Sequence, residues 1–228
     1  ATGNGEIQSG TSVSWPSRGY VSIAGNFTQS GTFDSNSGTT SFSGTSGSQT
    51  LSGTLTGEGA SKGQFRDVVF LGAATKSFGA NSASTSNFFI ESGSGAVTAP
   101  STLLSVSGNF RNNATFTNNS GSVLVASTTA QTLSGTMTTA TANTSGFNNL
   151  NLYGSGVKVF IDNATTTGTL LFDATSGAVT APQYLSVASA FDNRGVAFTL
   201  PSAATGGNFF VAANLTLSGT ITPGTGTT

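Results

Sequence analysis

Short stretches in which hydrophobic and polar residues alternate run through most of the chain. Leu150 and Leu152 alternate with asparagines, and Leu215 and Leu217 lie between threonine and serine. These runs are four to seven residues long and are bounded by Ser-Gly, Asn-Asn or Gly-Ser pairs that favour turns. No helical stripe at i, i+3, i+4 and i+7 persists over a dozen residues. The pattern therefore predicts an all-β protein with many short strands.

An internal repeat of about 82 residues is the strongest feature of the sequence. Residues 65–100 and 147–182 align without a gap at an offset of 82, with 13 of 36 positions identical. The hexapeptide QTLSGT at 49–54 returns at 131–136, and TLSGT returns again at 216–220. Self-similarity at a fixed spacing is typical of repeat architectures.

The repeat divides the chain into four parts. Residues 1–20 resemble the tail of a repeat, 21–103 and 104–184 are two full copies, and 185–228 are the first half of another. A solenoid tolerates such a division because each turn packs only on its neighbours. We therefore expect one continuous β-solenoid, a parallel β-helix, with about four turns per repeat. The alternative is a row of β-sandwich modules completed by strand exchange.

Composition narrows the possible chemistry. Gly, Ser and Thr supply 31, 34 and 38 of the 228 residues, charged residues make up 7%, and Cys and His are absent. These counts exclude disulfides, Cys- or His-ligated metals and catalysis by thiol or imidazole. Seven scattered Lys and Arg do not form a nucleic-acid footprint, and no apolar run is long enough for membrane insertion as a helix. We expect no nucleic-acid partner and no cofactor.

Phenylalanines at equivalent repeat positions are the predicted core, because 17 of them are spread through a polar background. We expect them to stack from turn to turn in place of a larger aliphatic core. The predicted core aromatics are Phe27, Phe33, Phe110, Phe116, Phe191 and Phe198.

No constellation of residues predicts catalysis, so the chain is expected to be non-enzymatic and without a metal site. The acidic residues are dispersed, although Glu91 and Asp173 share a repeat position. Lys76 and Lys158 also share one, and we expect them to point outward into solvent. The sharper alternative is an isopeptide bond from each lysine to Asn81 or Asn163.

Two further patterns suggest surface roles. Six Asn-x-Ser/Thr sequons are possible glycosylation sites, provided the host glycosylates asparagine during export. Pairs of the form Thr-x-Thr, such as Thr115 with Thr117 and Thr220 with Thr222, suggest at best a short threonine ladder of the kind that binds ice. The sequon asparagines are Asn26, Asn113, Asn118, Asn143, Asn163 and Asn214.

The phrases GNFRNNATFTNNSGSVLVASTTAQTLSGT and FNNLNLYGSGVKVFIDNATTTGTLLF resemble repeats of long bacterial surface proteins. They are similar to the parallel β-helix stalks of filamentous-haemagglutinin-like adhesins. The resemblance implies an extracellular, structural or adhesive role, and it transfers no catalytic motif. The composition, low in Lys and Glu, free of Cys and rich in Thr, Asn and Gly, favours a cell-surface location after removal of a signal peptide.

Open ends of a solenoid and near-absence of charge favour self-association, end to end or by strand donation. We therefore expect a structural subunit or segment of a filament, stalk or surface layer, whose partner is a second copy. The alternatives are an adhesin that binds glycans or ice, and a polysaccharide-active β-helix enzyme.

Overall fold

The computed structural model describes residues 3–56, 65–138, 145–202 and 205–224. In this part of the chain there are 27 short strands and no α-helix. The strands are β1 (Gly5–Ile7), β2 (Ser12–Ser14), β3 (Tyr20–Ile23), β4 (Phe27–Gln29), β5 (Thr32–Asp34), β6 (Thr39–Phe42), β7 (Ser48–Gly53), β8 (Phe65–Phe70), β9 (Thr75–Phe78), β10 (Ser82–Ile90), β11 (Val97–Thr98), β12 (Leu103–Val106), β13 (Phe110–Asn112), β14 (Phe116–Thr117), β15 (Ser122–Ala126), β16 (Gln131–Gly135), β17 (Asn149–Tyr153), β18 (Lys158–Phe160), β19 (Ala164–Thr166), β20 (Leu170–Phe172), β21 (Val179–Thr180), β22 (Tyr184–Val187), β23 (Phe191–Asn193), β24 (Phe198–Thr199), β25 (Asn208–Val211), β26 (Leu215–Leu217) and β27 (Ile221–Thr222).

The strands form three parallel columns, which we call faces I, II and III, and the chain visits them in that order. Where a strand is missing, an isolated bridge takes its place: Leu55 bridges to face I and Met137 bridges to face III. Face I contains β12, β15, β17, β20, β23 and β26, with the first half of β10. Face II contains β3, β6, β8, the second half of β10, β13, β16, β18, β21, β24 and β27. Face III contains β1, β4, β7, β9, β11 and β14, and later β19, β22 and β25. β2 and β5 precede face I as a separate pair.

This architecture is a parallel β-solenoid of about nine turns, which confirms the predicted fold and rules out the sandwich alternative. Face II is hydrogen-bonded without a break from β3 to β27. Paired residues in successive turns are between 19 and 28 positions apart, as in Val97 with Phe116 and Thr39 with Asp67. The variable length is taken up at the corners, while the strands stay in register.

The sequence repeat does not contain a whole number of turns. The repeated segment QTLSG forms β7 on face III and β16 on face II, and the next copy of TLSGT begins in β26 on face I. β4 and its equivalent β13 are eleven strand positions apart, one fewer than four full turns of three. This count takes the two halves of β10 separately and includes the isolated bridge at Leu55 as the face I position between β7 and β8. Each copy therefore starts one face earlier in the turn than the copy before it, and the expected four turns per repeat are slightly fewer than four.

All six predicted core aromatics lie in the interior and are fully buried. Equivalent members do not stack on one another, because Phe27, Phe110 and Phe191 belong to faces III, II and I. Each ring instead contacts other phenylalanines of neighbouring turns. Phe110, for example, stacks on Phe88 with ring centroids 5.5 Å apart. The expected turn-to-turn aromatic packing is present, but between different repeat positions.

Asparagines tie the corners of adjacent turns together. The Oδ1 of Asn4 accepts the backbone N–H of Asn26, and the Oδ1 of Asn26 accepts that of Thr50, both at 2.8 Å. The same relation links Asn87, Asn109 and Thr132 further along the solenoid. These side chains satisfy backbone donors where the strand ladder is interrupted, so these particular corners are held without charged residues.

Candidate functional site

Several carboxylates of the described chain are engaged in ion pairs or accept hydrogen bonds at corners. Arg194 Nε donates to Asp192 Oδ2 at 2.7 Å, and Arg194 Nη1 lies 3.9 Å from Asp173 Oδ2. Hydrogen bonds from the backbone N–H and the hydroxyl of Thr175 lower the pKa of Asp173. An acid catalyst of glycoside cleavage needs a protonated carboxyl, which this environment opposes. Within the described residues, no three acidic side chains come together as a metal site.

A second ion pair occupies the repeat position equivalent to Asp173. Glu91 Oε1 accepts a hydrogen bond from Arg111 Nη2, and the Arg111 guanidinium lies 4.4 Å from the centroid of the Phe89 ring. Both pairs are partly exposed and connect neighbouring turns. Such pairs contribute little stability and act mainly to solvate the corners.

Lys76 and Lys158 are fully buried, so the expectation that they point into solvent is wrong. Lys158 Nζ donates to the carbonyls of Gly154 at 2.9 Å and Gly156 at 2.5 Å. Lys76 Nζ donates in the same way to the carbonyls of Leu71 and Gly72. Each lysine occupies an inner strand position and places its ammonium group against the carbonyls of the preceding corner.

The isopeptide alternative does not fit this geometry. The amide oxygen of Asn163 accepts the backbone N–H of Tyr184 at 2.8 Å, and that of Asn81 accepts the Ser101 hydroxyl at 3.4 Å. The lysine ammonium groups contact backbone carbonyls and, for Lys76, the Ser94 hydroxyl at 3.4 Å. The structure thus does not bring lysine and asparagine together.

Burial lowers the pKa of Lys76 and of Lys158 to about 8. Between pH 8 and 10.5 the unfolded chain then binds more protons than the folded chain, so the free energy of unfolding is expected to rise with pH. The slope approaches about 1.4 kcal/mol per pH unit for each lysine. Urea denaturation of wild type and of a Lys76→Met, Lys158→Met double variant measures this effect. The rise must disappear in the variant; an equal rise in both proteins would contradict it.

The sequons differ in accessibility. Asn118 is 1% exposed, and its Nδ2 donates to the Gly146 carbonyl at 3.1 Å, so the folded chain does not offer it for glycosylation. This corrects the expectation for that residue. Asn143 lies outside the described residues. The remaining sequon asparagines are exposed: Asn26, Asn113, Asn163 and Asn214.

Threonines stack as single files, not as broad Thr-x-Thr arrays. On face II, Thr180, Thr199 and Thr222 are aligned in successive turns. On face III, Thr98 is aligned with Thr117. The pairs at equivalent repeat positions lie on different faces because each copy is displaced by one face.

Hydrophobic side chains are exposed at the end of the solenoid formed by β25, β26 and β27, which we call the C-terminal end face. Leu215 is aligned with the buried Phe191 and Leu217 with the buried Asn193, so both leucines occupy inner positions. They are nevertheless 53% and 47% exposed, because no described strand pairs with the outer edge of β26. Sequence reasoning missed these residues, although their alternation marked them as strand positions.

The opposite end, formed by β1, β2 and β3, is better covered. Ile7 and Ile23 are buried, and Trp15 packs against Phe33 with ring centroids 4.9 Å apart. Trp15 Nε1 also donates to Thr40 Oγ1 at 2.8 Å. The two ends therefore differ: Tyr20 of β3 is exposed at this end, whereas the C-terminal end face exposes two leucines at inner strand positions.

Neither a scan against protein-family models nor searches of curated proteins and solved structures finds a match to this chain. No helix of the described residues is long and apolar enough to span a membrane.

Proposed function

We propose that this chain is a structural segment of an extracellular filament, stalk or surface layer, in which solenoid turns continue from one copy to the next. The observation that carries the proposal is the C-terminal end face, where inner leucines and unpaired strand edges are exposed. Exposed inner positions of a strand ladder form a template for a further strand. A second copy would bury these leucines and pair these backbones.

The order of strands at the two ends supports such stacking. β1 and β3 belong to faces III and II, as β25 and β27 do, and β2 lies between them in the chain as β26 lies between β25 and β27. A second copy placed without rotation would set its β1 on β25, its β2 on β26 and its β3 on β27. The contact joins two different surfaces, and a heterologous contact that does not close on itself produces a filament.

Composition supports an extracellular location. The chain contains no Cys or His, and Lys and Arg together number seven, so it offers few sites for oxidation or for proteases that cleave after basic residues. The near-zero net charge of −1 leaves little repulsion between copies. Both features suit a long-lived assembly outside the cell.

Charges placed on the C-terminal end face test the proposal. A Leu215→Lys, Leu217→Lys variant is expected to remain dispersed, because stacking would bury two unpaired ammonium groups. Thr216 lies between these leucines and is aligned with the partly exposed Asp192, so Thr216→Lys is the matched control that should still assemble. Sedimentation velocity measures the outcome. Equal assembly of both variants, or none in wild type, would overturn the proposal.

A further inference from the structure

We infer that filaments of this protein associate side by side through an uncharged strip on face II, with a second copy as the partner. The strip consists of the outward side chains of residues 157–161, 178–180, 197–199 and 220–222, and we call it the face II strip. The inference rests on the proposed end-to-end assembly but concerns a different surface, on the side of the solenoid.

The face II strip is regular because four successive strands are in register. Val159 is aligned with Thr180, Thr180 with Thr199, and Thr199 with Thr222. Neighbouring strands lie about 4.8 Å apart, so the file of β-branched side chains repeats at that spacing. A surface with a fixed period fits best against another surface of the same period, which a second solenoid presents.

The middle file of the strip is Val159 followed by three threonines, and the apolar side chains at the strand ends are flanked by charged corners. Val157 and Ile161 are 41% and 58% exposed, and Ala178 and Ala197 are exposed beside them. Its outward positions carry no charge, since Lys158 points inward. Charged groups follow at the corners, where Asp162 accepts the backbone N–H of Gly135 and Arg194 pairs with Asp192. An apolar patch with a polar rim is typical of protein interfaces.

Comparison of the two full repeat copies shows that this apolar character is specific to the second. Val157, Val159 and Ile161 correspond, at the offset of 82, to Thr75, Ser77 and Gly79. Those residues lie on face III, where the same strand geometry is built with hydroxyl groups and glycine. The fold therefore does not need valine or isoleucine at these outward positions. Their presence on face II points to a role in contact.

The size of the strip favours a second copy within a filament over an isolated dimer. The strip, with one strand of five residues and three of three, covers roughly 200 Å² per chain. Stable complexes bury roughly 800 Å² per partner, so one strip gives only weak association. End-to-end stacking would repeat the strip along the filament, and repeated weak contacts add to strong lateral binding. Because the strip is uncharged, it offers no electrostatic attraction to a strongly charged partner.

The test introduces a lysine at two equivalent repeat positions, one on face II and one on face III, and compares the effects on lateral association. Val159→Lys is expected to reduce lateral association at least about tenfold, because two facing strips would bury unpaired ammonium groups. Ser77→Lys, the equivalent change on face III, is the matched control and should leave it unchanged. A Val157→Thr, Val159→Ser, Ile161→Gly variant, which carries the residues of the first copy, should also separate the filaments. Circular dichroism verifies that each variant folds.

In electron micrographs of the purified chain, we count single filaments and filaments that lie in pairs or bundles. Bundles in wild type and in Ser77→Lys, with single filaments in the two face II variants, support the inference. Single filaments in wild type overturn it and leave end-to-end assembly intact. If no filaments form, the proposed function fails, and sedimentation equilibrium decides the lateral contact. Dimers of wild type but not of Val159→Lys support the contact, and monomers at all concentrations overturn it.

Discussion

A Gly135→Ala variant is expected to lose at least about 3 kcal/mol of unfolding free energy. Gly135 is the last residue of the repeated TLSG segment and has a φ of 89°. Residues that carry a side chain rarely adopt this backbone angle. A Cβ at this position would also overlap the backbone carbonyl of Asn112 in the preceding turn. The same overlap with the preceding turn arises at Gly53 and Gly219, the equivalent glycines of the other copies. The close approach of two turns therefore explains why the motif contains glycine.

A Gly195→Ala variant separates the strain of the left-handed backbone from the overlap with the preceding turn. Gly195 has a similar φ of 95°, but a Cβ there would meet nothing within 4 Å. Its replacement should cost only about 1–2 kcal/mol, the strain of the left-handed backbone. Urea denaturation measures both variants. If Gly135→Ala were no more destabilising than Gly195→Ala, the close approach of the turns would have no energetic weight.

Phe110→Ala is expected to lower the unfolding free energy by about 3–5 kcal/mol. Phe110 is fully buried and its ring contacts those of Phe88, Phe116 and Phe147 at centroid distances of 5.2–5.5 Å. Truncation removes ring contacts with three turns and leaves a cavity that the rigid strand ladder cannot close. Thermal and urea unfolding measure the loss.

Phe210→Ala is the matched control, because the Phe210 ring is an outward, exposed side chain of β25. Its removal should change the unfolding free energy by less than about 1 kcal/mol. A similar loss at both positions would contradict the view that stacked phenylalanines form the core.

The all-β class and the repeat architecture could be predicted from the sequence because both depend on local patterns. Alternation marked strands such as β17 and β26, and the recurring TLSG segments marked equivalent strands. The displacement of one face per copy could not be foreseen. It follows from eleven strand positions in each repeat, and the number of strands depends on where the corners fall.

The sequence pattern does indicate that Lys76 and Lys158 point inward, but lysine is usually an exposed residue and is therefore interpreted as one. Lys76 precedes the buried Phe78 by two positions, as Lys158 precedes Phe160, and residues two apart in a strand face the same side. The pattern thus placed both lysines inside. The sequence pattern does not reveal that backbone carbonyls cluster at the corner before each lysine, at Leu71 for Lys76 and at Gly156 for Lys158. These carbonyls make the burial of an ammonium group tolerable.

The end-face leucines could be identified as strand residues but not as an exposed surface, since exposure depends on which turn has no neighbour. The repeat pattern describes Leu215 and Leu217 as ordinary inner positions, like Leu133 of the second copy. The three-dimensional order of turns was needed to place them at an end.

Electron microscopy of the purified chain tests end-to-end assembly most directly. About nine turns at about 4.8 Å per turn give an expected axial repeat of about 45 Å. Filaments with this subunit repeat, and with a strong 4.8 Å spacing along the axis, are the predicted result. Dispersed particles about 45 Å long at every concentration would contradict the account.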